Sequence, residues 1–125
     1  EIMEDYRPHT SKLPGDPELI ALAQRALEQM PQRKYQYKLG RIATGDIFVD
    51  DEALRRSIIE RTHPDCVEME GAAVAHVAAR NDVPALVIRA LSDNADTDYE
   101  DFKTFDISEY ADTAAKLTVN IAKRM

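Results

Sequence analysis

Residues 66–91 read CVEMEGAAVAHVAARNDVPALVIRAL, and three different patterns follow one another within them. Cys66-Val67-Glu68-Met69 is a short strand by position, although its composition is a weak strand signal. Gly71 to Arg80 contains Ala72-Ala73-Val74-Ala75-His76-Val77-Ala78-Ala79, apolar nearly all round, which predicts a buried helix. Asn81 and Asp82 end it. Val83 to Leu91 is apolar and partly β-branched, interrupted only by Arg89, as expected of a buried strand. Strand, helix and strand in succession predict an α/β layer architecture with a largely parallel sheet.

The flanking sequence extends the alternation. Residues 1–17 hold Pro8, Pro14, Gly15 and Pro17 and read as an irregular lead-in. Asp16 caps an expected helix, Pro17 suits its first position, and Leu19, Leu22, Ala23, Ala26, Leu27 and Met30 form its apolar stripe up to Pro31. Tyr35 to Ile42 reads as a strand leading to the turn Thr44-Gly45-Asp46. Asp50 or Asp51 caps a second helix, with Leu54, Ile58 and Ile59, that ends before Pro64. An acidic loop from Ser92 to about Asp106 precedes a last amphipathic helix, Ser108 to Met125.

Composition narrows the function classes. The 125 residues suit one domain. With 16 Lys+Arg against 23 Asp+Glu the net charge is −7, so no basic stripe exists to displace counterions from nucleic acid. No apolar run approaches the roughly 20 residues that span a bilayer. The single Cys66 excludes an internal disulfide and a cysteine-rich zinc site, and the expected compartment is the reducing cytoplasm. Glycines stand only at 15, 40, 45 and 71, so the usual nucleotide cradles are absent. The acidic run 93–101 does not fit the calcium-loop register, and His63 and His76 lack metal-ligand spacing. The chain opens Glu1-Ile2-Met3 without an initiator Met, which suggests a piece of a longer protein.

In parallel sheets ligands bind outside the carboxyl ends of the strands. Two such ends carry acids here, Glu68-Met69-Glu70 and Ser92-Asp93. Glu70 can simply complement the positive end of the following helix, an effect of about 0.3–1 kcal/mol. But two acids flanking a Met are costly if nothing binds, and a carboxylate facing a crevice can accept both protons of a sugar diol. Asp93 is either a loop or capping acid, or a general acid. In the second role it must hold a proton near pH 7 against an ordinary pKa of about 3.9, at a cost of about 4 kcal/mol unless burial and a ligand acceptor raise it. Phe48, after the Thr44-Gly45-Asp46 turn, is a buried ring or a stacking surface for a flat base.

Three segments, IATGDIFV (Ile42–Val49), VEMEGAAVAHV (Val67–Val77) and VIRALSDNAD (Val87–Asp96), together resemble the nucleoside phosphorylase and nucleosidase superfamily. Their order, spacing and Ser-Asp-x-Ala-Asp ending are most similar to its 5′-methylthioadenosine/S-adenosylhomocysteine nucleosidase branch. The resemblance implies a phosphorylase/hydrolase-like three-layer α/β/α fold with a mixed, largely parallel sheet, of which residues 1–125 are the carboxy-terminal portion of one nucleoside-binding domain. It implies hydrolysis of the N-glycosidic bond of an adenine nucleoside without metal or organic cofactor. Asp93 would protonate purine N7, with Ser92 orienting the site. Glu70 would hold ribose hydroxyls with help from the Met69 backbone, Phe48 would stack on the base, and the Val49 backbone would bond its edge. Glu68 belongs to the motif but receives no contact.

Protonating N7 removes the main leaving-group penalty, and an anionic clamp at the ribose favours an oxocarbenium-like transition state. Thr44 stands where the family more often has Ser, and residues 1–30 match poorly, which leaves the 5′ substituent open. A homodimer is implied. The water-activating acid, or a phosphate site, would come from an amino-terminal half without counterpart here, so the isolated chain is expected to be poorly stable and inactive. Two alternatives stay open: a purine nucleoside phosphorylase using phosphate, and a non-catalytic α/β binding module. Against a receiver-like module stands the lack of a Lys in Val87–Asp96.

Overall fold

A computed structural model describes residues 12–30, 36–91 and 108–125. Helix α1 spans Pro17–Glu28, and Asp16 caps it as its sequence predicts, the carboxylate accepting from the Leu19 amide at 3.0 Å. Strand β1 is Ile42–Thr44 and helix α2 is Glu52–Thr62. Of the two candidate caps of α2, Asp51 serves, accepting from the Leu54 amide at 2.8 Å. The helix closes on His63 in the left-handed region, φ 47°, just before Pro64. Strand β2 (Cys66–Glu68), helix α3 (Gly71–Arg80) and helix α4 (Ser108–Ala122) follow.

The architecture is α/β. Strands β1 and β2 pair in parallel, with Ile42 opposite Cys66, Ala43 opposite Val67 and Thr44 opposite Glu68. Parallel neighbours need a crossover, which α2 supplies. The pairing continues past the strands, where the Gly45 amide donates to the Glu68 carbonyl at 3.1 Å. At its other end the Asp65 amide donates to the Arg41 carbonyl at 2.7 Å. The Asp65 side chain accepts there too, from Lys38 Nζ at 2.5 Å and the Arg41 amide at 2.8 Å.

A second layer is made by α1 against α4. Ala23 and Ala26 of α1 meet Leu117 and Ile121 of α4 in a buried cluster, edged by Leu22, Leu27, Met30 and Leu86. Alanines on one helix allow close approach, and Ala26 is only 1% exposed. Leu86 links this layer to the 83–91 segment, and the Asp16 amide reinforces the link by donating to the Ala85 carbonyl at 2.9 Å. Among the described residues no helix is long and apolar enough to cross a membrane.

Three expectations need correction. The strand expected from Tyr35 to Ile42 begins only at Ile42; residues 36–41 are irregular and Tyr35 lies outside the described residues. Val83 to Leu91 forms no strand, because among the described residues no neighbouring strand pairs its backbone. Most of it is exposed, with only Ala85, Leu86 and Val87 half-buried. Helix α3 is not buried all round: it packs on β1, while Val74 and Val77 are 59% and 63% exposed. Apolar composition reports what a segment needs to have covered, whereas the covering surface lies elsewhere in a fold.

Candidate functional site

Parallel register ends β1 and β2 side by side, so Thr44 and Glu68 finish at the same edge and α3 starts directly above them. The Glu68 side chain occupies this junction, 7% exposed. One of its oxygens, Oε1, accepts from the Thr44 hydroxyl. That hydroxyl accepts in turn from the Ala72 amide at 3.0 Å. Oε2 accepts from the amides of Glu70 at 3.0 Å and Gly71 at 2.6 Å. These are amides at the start of α3 that have no partner within the helix, so Glu68 acts as its cap from two residues outside.

Arg89 completes the junction. Its Nε and Nη2 donate to Glu68 Oε2 at 3.2 and 2.6 Å, and Nη2 also donates to Glu70 Oε2. One guanidinium thus bridges both glutamates of the Glu-Met-Glu sequence. Partial burial pushes the Glu68 carboxyl up. Hydrogen bonds from Thr44, Arg89 and the Glu70 and Gly71 amides outweigh it and hold the carboxyl below the ordinary glutamate value. The bond to Glu68 raises Arg89 in the same way, against its own partial burial. Burial pushes the neighbouring Cys66 thiol up, aided by Glu68 and Asp65, which favours its protonated form.

Glu70 is placed differently. It precedes α3 but makes no side-chain capping bond; the Ala72 amide, a usual target of a residue in that place, donates to the Thr44 hydroxyl instead. Its side chain is 70% exposed, and its Oε2 accepts from the Met69 amide at 3.2 Å and from Arg89. Among the described residues no hydrogen bond reaches Glu70 Oε1. The helix-complement reading of Glu70 therefore loses its hydrogen-bonding part, and the side chain stands exposed at the strand ends.

Met69 lies beside it and is exposed. Phe48 and Val49 are half-buried on the segment that leaves the carboxyl end of β1, the same edge from which Met69 and Glu70 leave β2. Ser92 and Asp93 lie outside the described residues. Sequence reasoning missed Thr44, Glu68 and Arg89 as site-builders. The available signals were the first acid of Glu-Met-Glu and the lone charge in an otherwise apolar run.

In open α/β sheets ligands bind outside the carboxyl ends of the strands, and here that end of a parallel pair carries the start of a helix and the exposed Glu70. The phosphorylase superfamily matches residues 1–125, and the chain belongs to that superfamily.

Within it, the chain is 40% identical over 101 residues to the 5′-methylthioadenosine/S-adenosylhomocysteine nucleosidase of Treponema pallidum, covering 76% of this chain and 36% of that protein. It is 39% identical over 100 residues to the aminodeoxyfutalosine nucleosidase of Campylobacter jejuni, covering 80% of this chain and 42% of that protein. Among solved structures, the futalosine hydrolase of Helicobacter pylori strain 26695 superposes with a TM-score of 0.82 at 30% identity, over 96% of this chain and 51% of that one. The chain thus spans about a third to a half of the length of these relatives.

Proposed function

We propose that this chain is the carboxy-terminal part of a nucleosidase that hydrolyses the N-glycosidic bond of adenine nucleosides. The observation that carries the reading is the division of labour between the two glutamates. Glu68 caps α3, which leaves Glu70 exposed at the strand ends with one carboxylate oxygen available for ribose hydroxyls. Met69 assists through its backbone, Phe48 stacks on the base, and the Val49 backbone bonds the base edge.

Asp93 is the proton donor to purine N7, oriented by Ser92. Support for its place comes from Arg89, which is fixed at the strand ends four positions before Asp93 in the sequence. Protonation at N7 turns the departing purine anion into a neutral base, while the Glu70 carboxylate stabilises the positive charge that develops on the sugar. Activation of water falls to the amino-terminal half, and the assembled protein is a homodimer. The nucleoside is 5′-methylthioadenosine or S-adenosylhomocysteine.

Release of adenine by the full-length protein in phosphate-free buffer tests the reaction. We expect it with both nucleosides, and loss of about three orders of magnitude in Asp93→Asn, within the range of a lost general acid. Strict dependence on phosphate would instead establish a phosphorylase. A second substrate reading, an aminodeoxyfutalosine-type nucleoside, is favoured by the likeness to the Campylobacter jejuni and Helicobacter pylori proteins. Its relative kcat/KM in the same assay decides between them.

A further inference from the structure

A carboxylate that is 70% exposed has no fixed direction of its own, and Glu70 is such a group. Its one side-chain partner among the described residues is Arg89, which is itself a long and flexible side chain. Arg89 is held through Glu68, whose Oε2 takes two of its donors at 3.2 and 2.6 Å. Glu68 is held in turn by the Thr44 hydroxyl at the end of β1 and by the Glu70 and Gly71 amides at the start of α3. A continuous line of hydrogen bonds therefore runs from the sheet through Glu68 and Arg89 to Glu70.

We propose that Glu68 is a positioning residue that sets the direction of the Glu70 carboxylate through Arg89, and with it the preference for a nucleoside that keeps its ribose hydroxyls. This rests on the reading that Glu70 meets those hydroxyls. Without Glu68, Arg89 and Glu70 remain an exposed ion pair tied to the backbone through the single Met69 amide bond at 3.2 Å, which does not fix the direction of the carboxylate. The same residue also caps α3, so a stability loss alone does not reveal the positioning role.

The test measures kcat/KM of the full-length protein on an adenine ribonucleoside and on its 2′-deoxy counterpart. In Glu68→Gln we expect a loss of about 10–100-fold on the ribonucleoside, the scale of a small misplacement of a binding group, and of no more than about threefold on the deoxynucleoside. Arg89→Gln should give the same pattern, and the double variant should lose no more than either single one, because both act along one line. Equal losses on the two substrates in both variants would overturn the proposal and leave Glu68 a helix cap only. If Glu68→Gln does not fold, Arg89→Gln carries the comparison alone.

Glu70→Ala separates the two readings. Should it abolish the preference for the ribonucleoside while Glu68→Gln preserves it, the positioning role fails and the site assignment stands. If Glu70→Ala leaves the preference intact, the ribose role of Glu70 fails and the positioning role with it.

Discussion

Replacing Gly71 with Ala sets two effects of known sign against each other. Alanine is favoured over glycine in a helix interior by about 1 kcal/mol, less at the first helical position, so propensity alone makes the change stabilising. Gly71 is buried, however, and a Cβ on it would lie 2.9 Å from Glu68 Oε1 and 3.1 Å from its Cδ and Oε2. The carboxylate has to withdraw, and its bonds to the Gly71 and Glu70 amides, now 2.6 and 3.0 Å, lengthen. Losing one hydrogen bond to a charged group costs about 1.5–3 kcal/mol, which leaves a net destabilisation of about 1–2 kcal/mol. Gly45→Ala is the control: a Cβ there meets nothing within 4 Å, and no described glycine has positive φ. That change should stay within about 0.5 kcal/mol of wild type. Urea denaturation of the full-length protein measures both. A Gly71→Ala protein as stable as the Gly45→Ala control would refute the account of Glu68 as a tightly held junction.

Leu117 is buried between α1 and α4, so Leu117→Ala should cost about 2–5 kcal/mol in chemical denaturation, the usual penalty for a core leucine. Asp16→Ala removes the α1 cap and should cost about 0.5–2 kcal/mol, seen also as faster amide exchange at Leu19. Glu68 is held below its ordinary value of 4.5, so its ionised form contributes stability above that pH and loses it as pH falls through the lowered folded value. The stability difference between wild type and Glu68→Gln should therefore be widest above pH 4.5 and shrink in more acidic buffer, as read from denaturation midpoints.

Local signals carried the helices well. Asp16 with Pro17, Asp51 before Pro64, and Gly71 with Asn81 are start and stop chemistry that acts within a few residues, and those boundaries stand in the structure. Strands depend on partners, and there the reading weakened. Ile42–Thr44 forms because Cys66–Glu68 lies alongside, whereas the more apolar Val83 to Leu91 lacks a described neighbour and stays irregular. The position of Glu70 and Met69 was legible, because they fall at the junction between β2 and α3. Glu68 was not, since its role depends on Thr44, 24 positions earlier, and Arg89, 21 positions later.

Arg89 also changes the physical case for a ligand at Glu-Met-Glu. Two acids at one strand end look costly in sequence, because like charges repel and burial adds to the cost, and that cost argues for a bound molecule. In the structure the guanidinium lies between both carboxylates, and Glu68 is further satisfied by a hydroxyl and two amides. The pair is thus compensated within the protein, and repulsion between the acids is no argument for binding. What remains is directional. Two carboxylates share one cation, and among the described residues no hydrogen bond reaches Oε1 of the exposed member, Glu70, which is able to accept a hydroxyl proton. On the proposed function, ribose recognition at this edge is therefore a matter of where the Glu70 carboxylate is aimed, and rests on geometry rather than on relief of repulsion.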